Sequence, residues 1–204
     1  MRRWMIAMAV VLTGAAGMVT AQGQGQGAGR ATAPGQQKAA PAAADAKPSP
    51  GAGQVIVFET VKGTFEIETY PNEAPKSVDH ILTLVRRNFY NGLRVHRVVK
   101  GQLVQFGDPL TRDMSKRDRW GSGGSGKAIG VAEVNPKRKH LVGSVALAHA
   151  GDPRMADSQL YVMLIPQPKY DKNYTVIGRV IAGMDVIQKL QETDVIRRAT
   201  LKGS

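Results

Sequence analysis

Residues 93–109 read LRVHRVVKGQLVQFGDP and carry the strongest structural signal in this chain. Apolar and β-branched side chains fill both halves, so we predict two strands joined at Lys100-Gly101. Each predicted strand also carries a polar group that packing alone would not select, Arg97 in the first and Gln105 in the second. A guanidinium on a rigid sheet, beside an amide and apolar neighbours, can bind and polarise a carbonyl-rich substrate. The structural alternative is an arginine paired with a carboxylate across the sheet.

Apolar runs elsewhere in the chain predict the rest of the fold. Residues 55–60 and 64–69 flank a turn and predict a hairpin with one solvated face, to which Glu66 and Glu68 point. Further strands are predicted at 143–149, 158–165, 174–180 and 195–201. Helical spacing predicts one helix that Pro75 opens and Asn91-Gly92 ends, and a short one over 184–191. Together these elements predict a mostly β protein, a closed eight-stranded antiparallel barrel capped by two α-helices.

The first 53 residues differ in composition from the rest of the chain. Arg2 and Arg3 precede an apolar run that ends in small residues, which predicts a secretory signal peptide over 1–21. That run is shorter than the ~20 residues of a spanning helix, so we expect no stable membrane span, although a retained anchor is the alternative. Residues 22–53 are rich in Gly, Gln, Ala and Pro and predict a disordered linker. The folded domain is then 54–204, and we expect it in the periplasm or outside the cell.

The charge balance is basic, with 28 Lys and Arg residues against 16 Asp and Glu residues, and the chain has no cysteine. Basic residues cluster at 112–119 and 137–140, but acids interrupt the first cluster, so we favour solvated loops and expect no nucleic-acid partner. Binding of an anionic polymer by residues 112–119 is the weakest alternative. We expect the core alone, without disulfides, to hold the domain together.

Neither the glycine-rich segment nor the histidines of this chain match a cofactor-binding or metal-binding motif. Residues 121–127, GSGGSGK, come close to a phosphate-binding loop, but Ala128 stands where a Mg²⁺-binding Ser or Thr is needed. These glycines are predicted instead to let the backbone approach an extended peptide. The four histidines have no metal-ligand spacing. We therefore expect neither a metal nor any other cofactor.

Several stretches, taken in order, resemble the cyclophilins, the proline cis/trans isomerases. They are 74–78, 95–109, 121–124, 146–150, 157–162 and 170–178. The resemblance covers essentially all of residues 54–201. It implies a peptidyl-prolyl cis-trans isomerase that acts on proline-containing polypeptides and assists the folding of exported proteins. We expect a monomer.

By position, the resemblance implies that Arg97 is the catalytic arginine and that Gln105 holds the substrate backbone. It implies substrate-binding roles for Leu103, Gln102, Ala148, His149, Tyr161, Tyr170 and Tyr174. The chain also departs from the family, since Gln102 replaces a phenylalanine, Phe106 replaces a glycine and Lys169 replaces the tryptophan of cyclosporin-sensitive members. These departures leave a second function open, a module that binds proline-containing segments with weak or no isomerase activity.

Overall fold

The computed structural model describes residues 52–203. The predicted signal peptide and all but the last two residues of the predicted linker lie outside the described residues. Within the described range, no helix has the length and apolar character that crossing a membrane requires.

Eight strands and two helices form the domain, as the sequence predicts. In chain order they are β1 Val55–Thr60, β2 Gly63–Thr69, α1 Pro75–Arg86, β3 Arg97–Val99, β4 Leu103–Phe106, β5 Ser144–Leu147, β6 Leu160–Met163, β7 Val176–Ala182, α2 Met184–Lys189 and β8 Ile196–Leu201. Four short 3₁₀ turns lie in the loops, at 109–112, 114–119, 153–155 and 168–170.

All eight strands belong to one antiparallel sheet in the order β3-β4-β6-β5-β7-β2-β1-β8. The prediction of a mostly β fold with eight antiparallel strands and two helices is confirmed. The sheet is curled, but in the described part of the chain its edge strands β3 and β8 form no ladder with each other. The segments preceding them meet at the Arg94–Val195 bridge, where the Val95 N–H donates to the Asp194 carbonyl over 2.9 Å. The barrel is therefore closed at one short contact only.

Alternation along the strands sorts side chains onto the two faces of this sheet. The inner face encloses the main core, in which Phe106 packs edge-on to Phe58 at a centroid distance of 5.3 Å. The outer face carries a smaller apolar cluster made of Tyr70, Leu103, Ala146, Tyr161, Met163 and Val176. In β4, Val104 and Phe106 belong to the core, whereas Leu103 lies in the outer cluster. Phe106, which replaces a glycine of the family pattern, therefore fills the core.

Glu68 corrects the predicted solvated face of the first hairpin. This residue is only 2% exposed, and it lies opposite Arg179 in the register of β2 with β7. The Arg179 Nε donates to the Glu68 carboxylate over 2.6 Å. The alternation does put Glu68 opposite the core face, but β7 pairs with β2 and supplies a guanidinium there, so the carboxylate is buried and paired.

Helix α1 begins at Pro75, as predicted, but ends at Arg86, before Asn91-Gly92. Its N-cap is Ala74, which has no side-chain acceptor for the first free N–H groups of the helix. Glu133 supplies that acceptor from a distant loop, because its carboxylate oxygens accept from the Lys76 N–H at 3.1 Å and the Ser77 N–H at 2.8 Å. A negative charge at this end also suits the helix dipole.

Replacing Glu133 by alanine leaves these two N–H groups without their acceptor. We expect the free energy of unfolding to fall by about 1–2 kcal/mol, measured by urea denaturation. The control is Asp118→Ala, which removes an exposed carboxylate that makes no hydrogen bond within residues 52–203 and should change stability by less than about 0.5 kcal/mol. Equal losses in the two variants would contradict the capping role.

Candidate active site

The strand register lines up four side chains across one face of the sheet. Arg97 of β3 lies opposite Gln105 of β4, and Gln105 lies opposite Tyr161 of β6. Tyr161 in turn lies opposite Ala146 of β5. Adjacent strands are about 4.8 Å apart, so the row extends about 14 Å across four strands. The two polar residues of the segment 93–109 are thus held side by side on rigid backbone.

A cavity of about 150 Å³ opens beside this row. It is lined by Arg97, Leu103, Gln105, Ala148, His149, Tyr161, Tyr170 and Tyr174. Eight of the nine residues predicted from the sequence therefore surround one cavity. Its size suits a single side chain rather than a large ligand.

Gln102 is the ninth predicted residue, and it does not line this cavity. It lies in the turn between β3 and β4, where its backbone N–H donates to the Val99 carbonyl over 2.9 Å. Its side-chain Nε2 is 3.5 Å from the Tyr170 hydroxyl, which is too long for a strong hydrogen bond. Because the turn sets its direction, the exchange of phenylalanine for glutamine does not put an amide on the cavity wall.

The guanidinium of Arg97 has no carboxylate partner within residues 52–203. Its Nη1 donates to the Gln105 Oε1 over 3.2 Å, and the residue is exposed. The structural alternative, an arginine paired with an acid across the sheet, is therefore wrong. The positive charge is oriented by an amide and remains free to face a ligand in the cavity.

Gln159 extends this contact into a chain of hydrogen bonds, and it was not among the predicted site residues. Its Oε1 accepts from the Gln105 Nε2 over 2.9 Å. Its own Nε2 donates to the carbonyls of Gly121 at 2.9 Å and Gly123 at 2.7 Å. A signal for this residue does exist in the sequence, since Gln159 is a polar residue in an apolar strand-like run, as Arg97 and Gln105 are.

Asp108 holds the glycine-rich segment against the sheet. This carboxylate is fully buried and accepts from the backbone N–H groups of Gly121 at 2.5 Å, Gly123 at 3.0 Å and Leu110 at 2.7 Å. A Cβ atom added at Gly123 would overlap the Asp108 carboxylate, so only glycine allows this approach. The close approach that the glycines permit here is to Asp108, a contact that the sequence pattern did not specify.

Three tyrosine rings form the apolar wall of the cavity. Tyr161 lies edge-on to Tyr174 at a centroid distance of 5.8 Å and to Tyr170 at 6.2 Å. The His149 ring packs on Tyr174 at 4.5 Å, and its Nε2 is 2.9 Å from the Asn173 carbonyl oxygen. Edge-to-face packing of this kind fixes aromatic rings in place. The wall is therefore rigid and can grip a compact apolar group.

Behind this wall, His140 connects Tyr161 to Asp171. The buried imidazole places Nε2 2.9 Å from the Tyr161 hydroxyl and Nδ1 2.9 Å from the Asp171 carboxylate. Burial lowers the pKa of His140 against the opposing effect of Asp171, and burial also raises the pKa of the Tyr161 hydroxyl. At neutral pH the imidazole and the phenol are both uncharged. In the described part of the chain, no group of three or more His, Asp or Glu side chains could hold a metal ion.

The lowered pKa of His140 predicts a pH dependence of stability. In the unfolded chain His140 takes up a proton near pH 6.5, whereas in the folded state it does so only at lower pH. The free energy of unfolding therefore keeps the full contribution of His140 above about pH 6.5 and falls as the pH drops below that value. We expect His140→Gln to reduce this slope in urea denaturation between pH 5 and 8. Part of the slope should remain, because burial lowers the pKa of His96 as well. The control is Lys172→Gln, which should leave the pH dependence of the free energy of unfolding as in the wild type. The same pH dependence in His140→Gln as in this control would contradict the role of His140.

Comparison with known proteins gives concordant matches. A family model described as "Cyclophilin type peptidyl-prolyl cis-trans isomerase/CLD" matches residues 55–202. An Aspergillus niger protein named "Peptidyl-prolyl cis-trans isomerase-like 1" is 36% identical over 140 residues, which cover 66% of this chain and 80% of the relative. A Helicobacter pylori peptidyl-prolyl cis-trans isomerase is 32% identical over 148 residues, which cover 72% and 85%.

A solved structure shares the fold as well. It is a Cryptosporidium parvum cyclophilin type peptidyl-prolyl cis-trans isomerase in the presence of the dipeptide Ala-Pro. The TM-score is 0.65 at 22% sequence identity, and the match covers 74% of this chain and 100% of that one. At this identity the likeness concerns the fold alone.

Proposed function

This chain belongs to the cyclophilin-type peptidyl-prolyl cis-trans isomerase family, and from that premise we propose that Arg97 catalyses the rotation of X–Pro peptide bonds. Peptidyl-prolyl cis-trans isomerisation is the activity of the family, and homologues with this activity match most of the chain. The single observation that supports the role of Arg97 is its guanidinium, which has no carboxylate partner within residues 52–203 and lies on the rim of a cavity walled by tyrosine rings. The substrates are proline-containing polypeptides.

The chemistry requires no cofactor in this scheme. A peptide bond resists rotation by ~18–20 kcal/mol because the nitrogen lone pair is delocalised into the carbonyl group. At mid-rotation the lone pair is localised on the prolyl nitrogen, which then becomes a better hydrogen-bond acceptor. A guanidinium that donates to this nitrogen stabilises the twisted state more than either planar state, which lowers the barrier.

The other cavity residues serve binding and orientation in this scheme. Tyr161, Tyr170 and Leu103 hold the proline ring in the cavity, and the ring is then fixed while the acyl side rotates. Gln105 orients the guanidinium and can also bond the substrate backbone. Gln102 lies off the cavity wall, so this departure from the family pattern does not add an amide to the pocket.

A peptide isomerisation assay tests the activity and separates it from the alternative of a binding module. Uncatalysed X–Pro rotation takes on the order of 10–100 s at 25 °C, so acceleration of a proline tetrapeptide is easily seen in a protease-coupled assay. We expect catalysis together with saturable binding of the same peptide in a titration. Saturable binding without any acceleration would favour the module and would reject the proposed role of Arg97.

We also propose that the protein is exported and acts on other exported proteins. The support is in the sequence, where a basic pair and an apolar run ending in small residues precede a Gly, Gln, Ala and Pro-rich segment. Fractionation of cells that produce the full chain tests this directly. Recovery of the protein in the cytoplasm alone, with its first residues retained, would overturn export.

A further inference from the structure

A cavity of about 590 Å³ lies between helix α1 and residues 125–129. It shares no lining residue with the cavity around Arg97. Basic and apolar side chains dominate its walls. We call it the α1 groove and define it by Lys76, Leu84, Arg87, Phe89, Lys127 and Ile129. Its chemistry is unlike that of the tyrosine-walled site.

We propose that the α1 groove binds an acidic segment of another polypeptide. Lys76, Arg87 and Lys127 make no ion pair within residues 52–203, whereas cations such as Arg138 and Arg198 pair with Glu73 and Glu59. A cavity that gathers unpaired charges of one sign attracts ligands of the opposite sign.

Two further charged residues line the groove and set its balance. Arg112 is held in place, since its guanidinium lies 5.7 Å from the Phe89 ring centre and donates to the Phe89 carbonyl. Asp79 is the one acid that lines the groove, against four basic side chains. The net charge of the groove is therefore positive, and a bound segment needs to be acidic.

The spacing of the cations suits an extended polypeptide. Lys76 lies in the first turn of α1 and Arg87 is its C-cap, eleven residues further on, so their Cα atoms are about 16 Å apart. About five residues of extended chain span that distance and can place a separate carboxylate beside each cation. Leu84, Phe89 and Ile129 lie among the charges and offer contact to an apolar side chain. The groove therefore suits carboxylates on both sides of an apolar residue.

The wall of the groove is fixed before any ligand arrives. The His80 Nε2 is 2.9 Å from the Asp157 carboxylate, and the Ser125 hydroxyl donates to the same oxygen over 2.5 Å. The Gly126 N–H donates to the second oxygen over 3.2 Å. These bonds tie helix α1 and the loop that carries Lys127 to one residue, Asp157. A preformed groove loses less conformational entropy on binding than a mobile one.

The chain's own N-terminal residues do not fit this groove. Residues 1–53 contain five basic residues and one acid, Asp45. Like charges would repel this segment from the groove, so the acidic occupant comes from a different polypeptide.

The test uses the full chain and a fluorescein-labelled decapeptide without proline, Asp-Glu-Asp-Phe-Glu-Leu-Asp-Glu-Asp-Glu. Fluorescence anisotropy at low salt measures its binding, and we expect Arg87→Gln/Lys127→Gln to weaken binding by about tenfold or more. The control, Arg197→Gln/Lys100→Gln, removes the same charge elsewhere and should weaken binding by about twofold at most. Circular dichroism checks that both variants are folded.

Three results would overturn the proposal. The first is equal weakening in the two double variants, which indicates non-specific attraction to a basic protein. The second is equal binding of the decapeptide in which Asn and Gln replace Asp and Glu, since the groove would then not read charge. The third is displacement of the decapeptide by a ten-base-pair DNA duplex at equal or lower concentration, which indicates a general polyanion site.

Discussion

Replacing Arg97 by alanine should remove most of the isomerase activity while leaving the fold intact. A donor that is preorganised for the transition state contributes roughly 10²–10³ in rate, so we expect kcat/KM to fall by about that factor. Arg97 is exposed and lies outside the core, so the free energy of unfolding should change by less than about 1 kcal/mol. The measurements are a proline tetrapeptide assay and urea denaturation on the same preparations.

Two further variants sharpen this expectation. Arg97→Lys should restore little activity, because one ammonium group cannot reproduce the planar fork that bonds Gln105 and the substrate together. Arg197→Ala removes another exposed arginine, on β8, and should leave kcat/KM unchanged within about twofold. If Arg97→Ala turned over the peptide like the wild type, the assignment of the catalytic group would be wrong.

Replacing Asp108 by asparagine should have the largest effect on stability. The carboxylate is fully buried and accepts from three backbone N–H groups, and the amide of asparagine would point an NH₂ group at one or two of them. Charge-assisted bonds contribute about 1.5–3 kcal/mol each and buried donors without partners are costly. We therefore expect a loss of about 3–5 kcal/mol in urea denaturation.

Activity should fall in this variant as well, even at temperatures where it is still folded. Asp108 holds the backbone of Gly121 and Gly123, whose carbonyls bond Gln159, and Gln159 bonds Gln105. The matched control is Asp113→Asn, since Asp113 also accepts from a backbone N–H, that of Ser115, but is only partly buried. We expect a loss below about 1 kcal/mol in the control. Similar losses in the free energy of unfolding of both variants would show that the three backbone bonds of Asp108 contribute no more than the exposed bonds of Asp113.

Much of the fold follows from local patterns in the sequence. The apolar and β-branched content of residues 93–109 predicts both strands, and the short turn between them puts Arg97 and Gln105 next to each other, because a short hairpin fixes the register of its strands. The strand limits are less accurate. β3 has three residues, since Leu93 bonds instead with Ile196 at the start of β8, and Val95 bonds with Thr193 and Asp194 just before it. That pairing joins residues about a hundred positions apart, and no local pattern indicates it.

The contacts that support the site cannot be predicted from the sequence for the same reason, even where a single residue such as Gln159 stands out. Gln159 lies 54 residues from Gln105, and His140 lies 31 residues from Asp171. The partners of Asp108 are backbone N–H groups, which every residue except proline possesses, so they leave no mark in the sequence. Side chains on a strand can be placed by period, whereas contacts between loops depend on the complete fold.

The hydrogen bonds around Gln159 also have only one possible assignment of donors and acceptors. A carbonyl oxygen accepts and never donates, so the carbonyls of Gly121 and Gly123 require the NH₂ group of Gln159 to face them. Its oxygen must then face Gln105, which must offer NH₂ to it and keep its own oxygen for Arg97. An amide turned the other way at either glutamine would set donor against donor. The carbonyl groups of Gly121 and Gly123 thus fix the orientation of the Gln159 amide. That amide fixes the orientation of the Gln105 amide, which in turn orients the Arg97 guanidinium.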